Sequence, residues 1–184
     1  MTLRHSLLAV LTVDPAYGYQ LHGEVVERTR RDTPLNVGQV YSTLDRLRRD
    51  QFIASAGMTD DNLPLYELTD LGLIEARMYL TEPDLADWHD MVERMLLAMS
   101  LPGNHHEVLL SNYRRLWEPY VGASSETLDP TGGPAQAASE HAARLLRSAA
   151  LAWLDSLPTI EPWPLRADRR RRGRRAAEAA HPPV

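Results

Sequence analysis

The chain of 184 residues contains no cysteine. Disulfides, thiolate nucleophiles and cysteine-based zinc sites are therefore excluded. Lysine is absent too, so every cationic side chain apart from histidine is an arginine. With abundant alanine this points to a GC-rich coding sequence and says little about chemistry. No apolar run approaches the roughly 18–20 residues that span a bilayer. Leu7-Leu8-Ala9-Val10-Leu11 resembles a short export signal, but Asp14 follows closely and no small-residue cleavage site appears. An amphipathic first helix in a cytoplasmic protein, away from the membrane, is the expectation. No glycine-rich phosphate loop, nucleophile elbow, paired acid groups or His-Glu-x-x-His spacing is present. His105 and His106 are adjacent, and on a helix adjacent side chains diverge by about 100°, which suits no shared ion. No catalytic residue, metal or cofactor is expected, and the chain does not read as an enzyme.

What is present is 43% hydrophobic residues, enough for a real core, and a net charge of −5 that is unevenly spread. The tail from Leu165 holds Arg166, Arg169, Arg170, Arg171, Arg172, Arg174 and Arg175 against Asp168 and Glu178. Within the acidic remainder, residues 28–49 are locally basic, with Arg28, Arg30, Arg31, Arg46, Arg48 and Arg49 against Asp32 and Asp45.

Hydrophobic spacing sets out the elements. Leu3, Leu7, Val10 and Leu11 give a first helix over 2–13, and Asp14-Pro15-Ala16-Tyr17-Gly18 breaks it. A second helix runs over about 19–31, with Leu21 and Val25 inward, and Thr33-Pro34 ends it. Asn36 has the right chemistry to cap a third helix over about 37–50, because its side chain can accept from the free N–H groups of the first turn. Val37, Val40, Leu44 and Leu47 form that helix's inner stripe. Residues 51–56 and 65–68 read as two strands of a hairpin with a long tip. Thr69 caps a fourth helix with Leu71, Ile74 and Met78 facing inward. Beyond Glu82-Pro83, Leu85, Trp88, Val92, Met95 and Met99 make a heptad-like seam suited to helix pairing. A helix over about 105–120 aligns Leu109, Tyr113, Leu116 and Tyr120, and residues 122–134 read as a loop. A last helix over about 135–157 carries Ala142, Leu146, Ala149 and Trp153 on one stripe, with Leu145 and Leu154 beside it, before Pro158, Pro162 and Pro164 stop regular structure.

Helix, helix, turn, helix and two-stranded wing is the order of a winged helix-turn-helix. The fold class expected is mainly α with a small β-hairpin. A winged helix-turn-helix over 1–81 is followed by a helical dimerisation and possible effector region over 82–160, and by a Pro/Arg-rich disordered tail over 161–184. A major groove about 12 Å wide admits one helix. That helix must hold to its domain by an apolar face and present hydrogen-bond donors on the other. The third helix meets both needs. Its outer face offers Gln39, Ser42, Thr43, Arg46 and Arg49, with Gly38 allowing close backbone approach near the capped end. Gln pairs well with adenine and Arg with guanine. The alternative for each is a solvated helix face.

Three strings resemble the PadR family of transcription regulators. Pro15-Ala16-Tyr17-Gly18-Tyr19-Gln20-Leu21 is similar to the start of the family's second helix, with Tyr17 where a His is typical. Leu35-Asn36-Val37-Gly38-Gln39-Val40-Tyr41-Ser42-Thr43-Leu44-Asp45-Arg46-Leu47 is similar to its recognition helix, with Ser42 in place of the usual Pro. Tyr66-Glu67-Leu68-Thr69-Asp70-Leu71-Gly72 is similar to its second wing strand running into the next helix. The C-terminal half resembles the longer subfamily in length and pattern. The resemblance implies a homodimer on double-stranded DNA, with two recognition helices about 34 Å apart on a near-palindromic operator. It also implies repression, relieved in some members by small aromatic or drug-like molecules. Tyr41 would then point at a phosphate; packing beneath the second helix is the alternative.

The wing tip departs from the basic wings of the family, because Asp60 and Asp61 sit there without an arginine. The arginine tail is expected either to add non-specific attraction to DNA or to be a solubilising end. Trp88, Met91, Met95 and Trp117, together with Trp153 and Met99, are the candidates for an effector pocket, set against plain core and dimer interface. The competing function is a winged-helix protein-interaction module without DNA binding.

Overall fold

A computed structural model describes residues 3–30, 33–83, 88–117 and 133–166. The first helix, α1 (Leu3–Val10), is the centre of the molecule. Ser6, Leu7, Leu8, Ala9 and Val10 are all fully buried, so this part of the helix is covered on every side, where the spacing of Leu3, Leu7, Val10 and Leu11 suggests one buried face. Burial of each such Leu or Val contributes about 1.5–3 kcal/mol. The apolar run that resembles an export signal is thus the core's axis.

The chain then forms β1 (Ala16–Tyr17), α2 (Gly18–Thr29), α3 (Val37–Arg49), β2 (Ile53–Met58), β3 (Pro64–Leu68) and α4 (Asp70–Thr81). The sheet has three antiparallel strands in the order β1-β3-β2, not two. The break expected at 14–18 contains the third strand, which pairs Ala16 with Tyr66 and Tyr17 with Leu65. The β2–β3 ladder runs from Ile53 opposite Leu68 to Met58 opposite Pro64, with a bulge between Ser55 and Gly57. Its tip is closed by Thr59, whose N–H donates to Leu63 O at 2.9 Å and whose hydroxyl accepts from Leu63 N at 3.0 Å.

The helix α4 turns the other way from expectation. Leu71, Ile74 and Met78 are 48%, 56% and 48% exposed, while Gly72, Ala76, Tyr79 and Leu80 are buried. The helix carries two apolar stripes, and the one with small and aromatic residues fits against α1. Among the described residues three helices follow: α5 (Trp88–Ser100), α6 (His105–Trp117) and α7 (Pro134–Asp155). The inner face of α5 centres on Met91, Met95, Ala98 and Met99, with Trp88 and Val92 at its margin; Leu85 lies outside the described residues. On α6, Leu109 and Tyr113 are buried; Tyr120 and residues 122–132 of the loop expected at 122–134 lie outside the described residues, and Gly133 and Pro134 open the next helix. On α7 the buried positions are Ala150 and Leu154, while Ala142, Leu145, Leu146 and Ala149 are exposed and Trp153 is half-buried.

Two buried arginines join the helices. Arg94 of α5 donates through Nε to Tyr79 O at 2.6 Å and through Nη2 to Glu82 O, and its guanidinium lies 4.2 Å over the Tyr79 ring. Asn112 of α6 donates to Thr81 O at 2.7 Å. These bonds satisfy carbonyls that the end of α4 leaves without intrahelical partners. Arg28 of α2 does the same for α5, donating through Nη1 to Ser100 O at 2.6 Å. Its Nε binds buried Glu24 at 2.8 Å, and its Nη2 holds Trp163 O at 2.9 Å. Burial lowers the Arg28 pKa from its ordinary value, and the Glu24 carboxylate opposes that shift.

One hydrophobic cluster runs from Leu7 through Leu44 and Met95 to Leu154. The boundary expected at 81/82 therefore crosses a continuous core. The segment at 161–166, expected to begin a disordered tail, lies along α2, with Arg166 N donating to Glu24 Oε1 at 2.7 Å. The tail beyond Arg166 is outside the described residues.

Candidate nucleic-acid interface

The sequence places α3 by a cap and a stripe. Asn36 Oδ1 accepts from Gly38 N at 2.7 Å and opens the helix. Val40, Leu44 and Leu47 are buried beneath it. With that face fixed, the other is presented outward: Asn36, Gly38, Gln39, Tyr41, Ser42, Arg46 and Arg49 are all exposed, together with Asp45 and Arg48. Seven of the eight residues expected to meet DNA thus share one accessible surface.

Thr43 is the exception. It is 7% exposed, and its hydroxyl donates to Gln39 O at 2.7 Å. The position lies three residues after Val40 and four before Leu47, so it shares their side of the helix. On the accessible side, Ser42 Oγ donates to Gln39 O at 3.0 Å, Arg46 Nε to Ser42 O at 3.3 Å and Arg49 Nε to Asp45 O at 3.4 Å. These long contacts back onto the helix leave guanidinium donors for another acceptor. Arg48 lies 3.6 Å from Asp45, with both side chains more than half exposed. Such a pair is worth little in water.

Tyr41 packs against the second helix, the alternative weighed for it, and stays partly open. The residue is 41% exposed, and its ring lies against the first turn of α2. A Cβ on Gly18 would sit 2.6 Å from Tyr41 Cε1, closer than atoms can approach, so glycine is what lets the ring lie there. Beneath the helix, burial pushes the Tyr66 phenol up, and the Asp45 carboxylate adds to the shift.

Arg28 does not belong to the basic surface that the sequence outlines, because it is wholly buried on Glu24. Arg30 pairs with Glu27 at 2.9 Å, and Arg31 and Asp32 lie outside the described residues. Among the described residues of that stretch, the outward-facing arginines are Arg30, which Glu27 offsets, and Arg46, Arg48 and Arg49 of α3. The wing adds none: Asp60 and Asp61 are exposed at its tip.

The residues proposed for an effector fall into two groups. Met91 and Met95 are buried in the core, and Met91 Sδ accepts from Trp117 Nε1 at 3.3 Å. Trp88 meets Trp153 of α7 edge to face, with ring centroids 5.6 Å apart. What the sequence reading missed is the buried Arg28 and Arg94 pair of clamps. The only signal for Arg28 was the Glu24-to-Arg28 spacing of four.

Residues 7–78 match the family described as the transcriptional regulator PadR-like family. Among solved structures, the chain is similar to Bacillus subtilis PadR in complex with operator DNA, at 17% identity and a TM-score of 0.40, over 84% of this chain and 97% of that one. No curated protein matches the sequence. The stretch from within α1 to within α4 is thus similar to the PadR-like transcriptional regulators, and it is built as a winged helix in a mainly helical chain.

Proposed function

We propose that this protein regulates transcription by laying α3 in the major groove of an operator, as a homodimer on a near-palindromic site. The observation that carries the reading is the division of α3. Val40, Leu44 and Leu47 hold it to the core, and Gln39, Ser42, Arg46 and Arg49 remain outside with free donor capacity. Asn36 and Gly38 at the capped end, and Tyr41 against α2, complete the surface. Gln39 and Arg46 read base edges, and Arg48, Arg49 and Tyr41 meet phosphates. Two copies would engage half-sites about 34 Å apart.

The test is binding to the DNA immediately upstream of the protein's own gene at two salt concentrations, with unrelated DNA as competitor. Tight binding that resists the competitor and falls by about three to five decades from 50 to 200 mM salt supports the reading. Binding no better than to the competitor counts against it.

The finer reading is a repressor released by a small aromatic or drug-like effector near Trp88, Met91, Met95 and Trp117. The Trp88–Trp153 ring pair supports it, since both rings are only half-buried. Trp88→Ala should weaken the dimer or abolish the response to effector. Unchanged size and unchanged induction would remove Trp88 from both roles.

A second reading, a protein-interaction module, is favoured by the acidic wing tip and by the exposed Leu71, Ile74 and Met78 on α4. It requires that DNA affinity be absent or insensitive to salt.

A further inference from the structure

Helix α4 carries apolar residues on two sides. Gly72, Ala76, Tyr79 and Leu80 are buried and fix it to the core. Leu71, Ile74 and Met78 form a second stripe that stays about half exposed. The helix beneath them is firmly held. Thr69 caps its first turn by accepting from Gly72 N, and Arg94 and Asn112 bind the carbonyls of Tyr79, Glu82 and Thr81 at its end. A fixed helix with three large apolar side chains turned to water is suited to pairing with another helix.

The charges beside the stripe decide which helix. At about 100° per residue, Leu71 and Met78 stand about 40–60° to one side of Ile74, and Asp70 and Arg77 about 40–60° to the other. Asp70 and Arg77 are both exposed. The pattern is therefore symmetric about Ile74 in position and opposite in charge. With a second α4 laid end for end against the first, on a two-fold axis at Ile74, Leu71 meets the partner's Met78 and Asp70 meets the partner's Arg77. Both pairs occur twice, once on each side of the axis. A two-fold contact needs this self-complementarity. A parallel pair lacks it, because Asp70 would then lie on the partner's Leu71 and Arg77 on the partner's Met78. On the far margin, Glu75 is answered within its own copy by His5 Nε2 at 3.1 Å and Arg4 Nη2 at 3.6 Å.

We propose that the outward stripe of α4 is a contact between two copies of this chain, made by antiparallel pairing of α4 on a two-fold axis at Ile74. The inference deepens the homodimer of the reading above and rests on it for the existence of a second copy. DNA plays no part in the contact. Three side chains from each copy fall short of the roughly 800 Å² per partner that a stable interface buries. The seam is therefore the axis of the homodimer and not the whole of its interface. Its flanking charges set direction and register, as such charges do in paired helices.

The test uses the full chain in solution without DNA. The chain has no cysteine, so Ile74→Cys places a single thiol at the axis. Mild oxidation should link two copies there, since a disulfide joins Cα atoms about 4.4–6.8 Å apart. Met58→Cys on the wing, 60% exposed, is the control and should stay unlinked at the same concentration. Sedimentation then reads the charges. Asp70→Arg and Arg77→Asp should each weaken association, because each sets like charges across the seam twice. A mixture of the two variants restores opposite charges at both places and should associate about threefold or more tightly than either alone. A mixture no tighter than its components overturns the antiparallel seam. Equal linking at positions 58 and 74 marks random collision and overturns it too. An Ile74→Cys chain that is dimeric yet unlinked overturns the seam, leaves the homodimer standing and assigns the stripe to a different protein. A full chain that is monomeric at every concentration overturns both.

Discussion

The carbonyl oxygen of Phe52 lies 1.9 Å from where a Cβ on Gly72 would stand. The same carbonyl accepts from Thr69 N at 3.1 Å, while the Thr69 hydroxyl donates to Gln51 O at 2.7 Å and accepts from Gly72 N at 3.1 Å. Start of α4 and start of β2 are thus clasped backbone to backbone, which gives the Thr-x-x-Gly portion of the wing string its physical reason. Gly72→Ala forces the two backbones apart and should cost about 1–3 kcal/mol, read as a lowered midpoint in thermal or urea unfolding. A midpoint equal to that of the unsubstituted chain would contradict the close approach.

On α3 the interface is expected to be selective between neighbours. Thr43→Val should leave DNA affinity unchanged, because the hydroxyl is buried and bonded to Gln39 O. Arg46→Ala should cost about 1–3 kcal/mol of binding and relax sequence preference. Titration of both variants against one operator duplex decides. A loss at position 43 equal to that at 46 would mean that the helix turns differently on DNA.

The Arg28–Glu24 pair has both side chains buried. Arg28→Ala leaves the Glu24 carboxylate without its cation and Ser100 O with only the longer bond from Trp163 N, a class of change that costs about 3–5 kcal/mol. Replacing both residues by apolar ones of similar volume should recover much of that loss. Urea denaturation of the single and double variants measures the difference, and a single variant as stable as the double would show that the pair is not coupled.

Burial, with Arg77 and His106 nearby, holds the His105 imidazole below its ordinary value. The unfolded chain then takes up a proton that the folded chain refuses as pH falls below about 6.5. Stability should therefore decline from that pH downward until the folded imidazole titrates, and be indifferent to this group above it. His105→Gln should flatten that part of the profile. Unfolding midpoints across the acid side that are the same in both chains would remove His105 as a cause.

The elements legible in the sequence were those fixed by local chemistry. Asn36 and Thr69 cap as expected, and the stripe Val40, Leu44, Leu47 is buried. The strand at Ala16–Tyr17 was hidden because two residues show no alternation. Leu71, Ile74 and Met78 were misread because periodicity reveals a stripe without saying which of two stripes meets the core. Arg28 reads as surface charge in any count of a basic stretch; only Ser100 and Trp163, 72 and 135 residues away, draw it inside. The outward residues of α3 could be named from pattern, except Thr43, which sits on the margin where the period is ambiguous.

The seating of α5 on α1 and α2 has a meaning for modularity. Leu97, Ala98 and Leu101 close the same core as Leu7 and Leu21, and Arg28 and Arg94 stitch the two halves in opposite directions. The family match ends at residue 78, yet packing does not. A cassette cut there and grafted to a foreign dimeriser would carry an orphaned guanidinium and a bared apolar flank. The winged-helix half is transferable only with α5 and residues 157–166 as its cargo.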